Sequence, residues 1–93
     1  MSLNVVWTNR FKKDYKLAIK RGLAMEELDR AIRLLAREGK LPERYLDHPL
    51  GGDWKGFREC HIQPDWLLIY AIENNILVLT LSRTGTHSDL FGK

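Results

Sequence analysis

The sequence predicts an α+β domain, and three observations carry that reading. Apolar residues recur at helical spacing in two stretches of the first forty residues, β-branched and aliphatic runs fill the second half, and turn-forming residues separate those runs. The predicted order is βααβββ, with two N-terminal helices packed on an antiparallel sheet.

Each element has its own signal. "LNVVWT" (residues 3–8) is β-branched and aromatic, as a short first strand requires. Phe11, Tyr15, Ala18 and Ile19 follow at helical spacing after a cap at Thr8 or Asn9, and Gly22 supplies the stop. In the second helix Leu28, Ala31, Ile32 and Leu35 form one stripe. Its acids Glu26, Glu27 and Asp29 come early, Arg33 and Arg37 come late, and Gly39 closes it, an order that matches the helix dipole. Residues 40–56, "KLPERYLDHPLGGDWKG", show no period and are longer than most connections in compact domains. Their tryptophan, tyrosine and histidine predict a packed, functional loop. Three strands are then expected at "FRECHI" (57–62), "WLLIYAI" (66–72) and "ILVLTLS" (76–82), joined by turns at Gln63-Pro64 and Asn74-Asn75.

With 93 residues, 44% of them apolar and 29% charged, the chain suits one domain over residues 1–93 with a modest core. No apolar run reaches the roughly 20 residues of a membrane span, and no secretory pattern opens the sequence, so no membrane association and a cytoplasmic location are expected. The single cysteine, Cys60, suits a reducing compartment and a structural role. Net charge is only +3, but "RFKKDYKLAIKR" (10–21) sets six basic residues against Asp14. Lys12, Lys16 and Lys20, four apart, would form a row facing solvent, RNA or an acidic partner.

Two-residue turns would set His61 opposite Trp66 and Trp66 opposite Arg83, with Asp65 at the turn and "RTGTHSDLF" (83–91) leaving the same sheet edge with His87 and Phe91. A bulge at Pro64 would shift that row. All three histidines, His48, His61 and His87, then lie in the long loop or at this end. Imidazoles accept and donate protons near neutral pH. Together with Asp65 and Arg83 they meet the needs of RNA cleavage without a metal or other cofactor: a base for the 2′-hydroxyl, an acid for the departing 5′-oxygen, and a cation for the phosphate. Trp66 or Phe91 could stack on a base. Zinc is the competing chemistry, since His48, His61, His87 and Asp65 are competent ligands, but no paired ligand spacing such as HxxxH or HExxH occurs. The absence of a glycine-rich phosphate loop and of a nucleophile elbow disfavours nucleotide-dependent and acyl-transfer enzymes.

"DHPLGGDWKGFRECHIQPDWLLIYAI" and "RTGTHSDLF" resemble the YafQ-like branch of the RelE/ParE superfamily of bacterial toxin-antitoxin toxins. The resemblance is dense in the C-terminal half. Before residue 40 it extends only to helix order and basic character. It implies a RelE-like fold and a toxin that cuts messenger RNA in the ribosomal A site without a metal. It also implies a DinJ-like cognate antitoxin, with operator DNA bound only through the antitoxin complex. Carried over by motif position, it implies His87 as general acid, His48, His61 and Asp65 in proton handling, Arg83 on the phosphate, and Trp66 and Phe91 shaping the site or stacking. Rival expectations are a ParE-like inhibitor of gyrase, which needs no histidine cluster, and a catalytically silent module that binds an antitoxin and represses its operon.

Overall fold

The structure, a computed structural model, describes residues 2–92. Its elements are β1 (Asn4–Trp7), α1 (Asn9–Lys20), α2 (Met25–Glu38), β2 (His48–Pro49), β3 (Arg58–Gln63), β4 (Trp66–Glu73), β5 (Val78–Gly85) and α3 (His87–Phe91). The α+β class and the two helices preceding the main strands are as the sequence predicts. Among the described residues, β2 and two single 3-10 turns (Glu43–Tyr45 and Gly52–Trp54) inside the long loop, and the terminal helix α3, are additional.

The helices begin and end where local chemistry dictates. Thr8 caps α1: its Oγ1 accepts from the Phe11 N–H at 3.1 Å and donates to the Leu81 carbonyl at 2.9 Å, which ties the helix start to β5. Phe11 and Ala18 are buried, whereas Ile19, assigned to the same stripe by spacing, points to solvent. In α2 the stripe Leu28, Ala31, Ile32 and Leu35 is buried as expected. Gly39 ends the helix in the left-handed region at φ 73°, a conformation that costs a side-chain-free residue little.

The sheet has the order β1-β5-β4-β3-β2. It is mixed rather than wholly antiparallel, because β1 runs parallel to β5, with Val5 beside Leu79 and Trp7 beside Leu81. A chain that crosses through two helices before returning to the sheet satisfies the crossover a parallel pair demands. One face carries the main core. There Leu68, Tyr70, Leu79, Leu81 and the fully buried Cys60 meet α1 and α2. Burial pushes the Cys60 thiol well above its ordinary range, so it is an inert packing group. The other face is covered by a second cluster in which Leu67, Ile69 and Leu90 pack with Leu50, Trp54, Phe57 and Phe91. The long loop is thus folded down by its own aromatics.

Both hairpins depart from the predicted register. Gln63 pairs with Trp66, so the first turn is Pro64-Asp65, and the register shifts between His61 and Gln63, leaving His61 opposite Leu67. The second turn spans residues 74–77, since Glu73 pairs with Val78, and Ser82 is an extra residue between Leu81, opposite Tyr70, and Arg83, opposite Ile69. Leu77 takes φ 54° there, and the Ile76 and Leu77 N–H groups bond back to Glu73 and Asn74. The predicted row of His61, Trp66 and Arg83 therefore does not form. Two bulges and a longer turn, none of which alternation reports, move its members apart.

Candidate active site

The site lies on the sheet face that α1 and α2 leave uncovered. β2 pairs with β3 so that His48 stands beside Glu59, and strand alternation puts Glu59 and His61 on one face. The terminal helix brings His87 to the same place. Ring centroids are 6.3 Å apart for His48 and His61 and 5.9 Å apart for His61 and His87, so the three imidazoles form a continuous row.

Carboxylates orient each ring. His48 Nδ1 donates to the Leu46 carbonyl at 2.8 Å, and His61 Nδ1 lies 3.3 Å from the Pro64 carbonyl. A carbonyl can only accept, so both rings carry a proton on Nδ1 and turn Nε2 inward. Both Nε2 atoms face the same oxygen, Glu59 Oε1, at 3.4 and 3.7 Å. Glu59 is the buried acid of this face, its side chain only 6% exposed. Sequence analysis missed it. The signal was an E-x-H pair on one face of an otherwise apolar strand. At the open end of the row, Asp65 Oδ1 lies 2.6 Å from His87 Nδ1 and accepts the His87 backbone N–H at 2.9 Å. Those bonds, the backbone one foremost, hold the Asp65 carboxyl below its usual range. They fix His87 with Nε2 free for other work.

The loop carrying His48 is clamped from behind. Asp47 accepts from Tyr70 Oη at 2.6 Å and from Arg58 Nε at 3.2 Å, and Arg58 Nη2 approaches at 3.2 Å. Burial, and then Asp47, push the Tyr70 phenol well above its ordinary range, so it stays a neutral donor.

α3 is a single short turn of helix held by its ends. Thr86 and Asp89 form a capping box, and Arg21, the C-cap residue of α1, reaches Asp89 Oδ2 at 2.6 Å. A Cβ on Gly85 would stand 3.0 Å from Asp89, so a residue without a side chain lets α3 close on the strand end. The Arg21 guanidinium, ahead of the Thr86 N–H, lowers the Asp89 carboxyl to about 2. A depressed folded-state value means this contribution is complete above the unfolded value near 3.8 and is lost as pH falls from there toward about 2. The expected result is that α3 loosens across that interval before the sheet melts. Chemical shifts of Leu90 and Phe91, followed through an acid titration, would check it.

Not every predicted residue joins the row. Arg83 points to the helix side of the sheet, where its Nε and Nη2 meet Asp14 of α1 at 2.7 and 3.3 Å. The extra residue at Ser82 turns it there. Trp66 is only 3% exposed, sits in the main core and donates its indole N–H to Thr84 Oγ1 at 3.0 Å. A ring so enclosed has no free face for a base, which corrects the stacking role expected of it. Phe91 is half-buried against Leu67, Ile69 and Leu90. Lys12, Lys16 and Lys20 are exposed along α1 and, among the described residues, make no ion pair. Of the groups weighed for a metal, His61 and His87 combine with Glu59, not with His48 and Asp65: one ligand atom from each of the three lies within 4.8 Å of the others.

The model of the family described as bacterial toxin of type II toxin-antitoxin system, YafQ, matches residues 3–92. The mRNA interferase toxin YafQ of Escherichia coli K12 is 43% identical over 90 residues, which cover 96% of each chain. The YafQ structure in the E. coli DinJ-YafQ toxin-antitoxin complex is 42% identical, covers 99% of this chain and 100% of its own, and superposes with a TM-score of 0.90. A metal-bound toxin from Helicobacter pylori, 43% identical over 96% of this chain and 99% of its own, superposes with a TM-score of 0.88.

Proposed function

The chain belongs to the YafQ family of bacterial type II toxin-antitoxin toxins, and from that premise and the imidazole row we propose that it cuts messenger RNA by acid-base catalysis. The single observation that carries the reading is the row itself. Three histidines lie side by side, two of them turned toward one buried carboxylate and the third toward an exposed one.

His87 is the general acid. Asp65 holds its Nδ1 proton, so Nε2 is the atom that delivers a proton to the departing 5′-oxygen. His48 and His61, paired through Glu59, take the proton of the ribose 2′-hydroxyl, which then attacks the adjacent phosphorus to give a 2′,3′-cyclic phosphate. Glu59 faces the Nε2 atoms that take up the proton, and its carboxylate stabilises the imidazolium that forms there. Arg83, held in a two-bond pair with Asp14 on the helix side of the sheet, takes no part in this row. Phe91 walls the site beside His87. Acid and base are both present as side chains, so the proposed proton transfers require no metal.

Ribosome-bound mRNA is the proposed substrate and the cytoplasm the proposed location. A DinJ-like antitoxin is the proposed partner, its acidic segment crossing Lys12, Lys16 and Lys20 by charge complementarity. Operator DNA is reached only through that complex. Inducing the protein in growing bacteria and mapping transcript 5′ ends tests the nuclease reading. Cuts clustered at one position of the reading frame are expected; intact transcripts would refute it.

The trio Glu59, His61 and His87 sets a metal against catalysis rather than in its service. A zinc ion seated there would occupy the nitrogens that must exchange protons. In a purified cleavage reaction, EDTA is expected to leave the rate unchanged, and equimolar zinc is expected to slow it at least about tenfold. A rate that rises with zinc would reverse the assignment.

A further inference from the structure

A cavity of about 380 Å³ opens on the other side of the sheet end, between α1, the Pro64-Asp65 turn and the junction of β5 with α3. Nothing in the catalytic row occupies it, yet it shares walls with that row. Asp65 and Thr86 border it, and both also fix the position of His87. Because Asp65 both lines the cavity and bonds His87, an RNA strand with its scissile phosphate at His87 lies beside the cavity mouth.

Its chemistry suits a nucleobase. The inner wall is apolar, made by Ala18, Leu23 and the buried Trp66, with the half-exposed Leu17 at the mouth. The rim carries two guanidinium-carboxylate pairs, Arg83 with Asp14 and Arg21 with Asp89. Each pair presents donors and acceptors side by side, the pattern that reads the polar edge of a base. Because both pairs are internally balanced, the cavity bears little net charge, which favours a neutral heterocycle over a phosphate. Arg10 stands at the same rim and, among the described residues, has no acidic partner. It is placed to meet the backbone phosphate of the same nucleotide. The volume lies in the range of small-ligand sites.

We propose that this cavity is a nucleotide subsite, receiving the base next to the scissile phosphate and setting the sequence preference of the cut. The inference rests on the nuclease reading, and it makes Leu17 and Leu23, which touch none of the residues that fix His87, determinants of specificity rather than of rate.

The test compares the wild-type chain with Leu17→Trp, which fills the cavity mouth from a half-exposed position, and with Leu17→Asp, which charges the same wall, each induced in cells and scored by transcript 5′-end mapping. Thermal melting confirms that each variant folds. Cutting should persist, but the ratio of favoured to disfavoured bases next to the cut should fall at least about fivefold in both variants. Unchanged preference in both would overturn the subsite while leaving the nuclease reading intact. So would unchanged preference with weakened binding of a purified antitoxin, which would give the cavity to protein. Failure of the wild-type chain to cut would remove the nuclease reading and the subsite together.

Discussion

Replacing His87 by alanine is expected to leave a folded protein that no longer arrests growth. The imidazole is nearly half exposed at the start of α3, and what it touches is Asp65, not the core. Neither Leu90, which buries the helix, nor the Thr86-Asp89 capping box depends on it. Losing a positioned general acid costs typically about 10²–10⁴-fold in rate. The melting temperature should stay within a few degrees of wild type while transcript cleavage falls by that factor. Asp65→Asn is the milder companion, since it keeps the shape and removes the charge that fixes the ring. A His87→Ala protein that still cuts at wild-type rate would transfer the acid role to another group.

The second large effect is on stability. Trp66→Ala should destabilise the fold by about 3–5 kcal/mol, the cost of emptying a large aromatic site in a packed core. It also strips Thr84 Oγ1 of its indole donor. Trp66→Phe keeps most of the ring and loses that bond, for about 1–2 kcal/mol, and its cleavage should stay near the wild-type level. Urea denaturation of the pair, read beside cleavage assays, separates core from site. Full stability of the alanine variant with lost cleavage would restore the stacking role that burial argues against.

These two residues also mark what sequence could and could not convey. Helical stripes such as Leu28, Ala31, Ile32 and Leu35 are legible because period and composition agree over several turns. The gathering of His48, His61, Asp65 and His87 was legible too, because a turn must place Asp65 at a strand end and "TGTHSDLF" must leave beside it. Trp66 was not, since a tryptophan starting a strand can face either way until the bulges at Ile62 and Ser82 are known. Arg83 followed the same error to the opposite face. β2 is two residues long and has no period to detect. Glu59 and Asp14 were hidden for another reason: acids seen one at a time look like solvated charges, and only their partners give them roles.

The strand β5 lies inside the sheet, between β1 and β4, although it is the last strand to be synthesised. Until it arrives, the N-terminal strand has nothing to pair with, and neither α3 nor its histidine has a mooring. The imidazole row is therefore completed last, when the C-terminal segment has joined strands that were already made.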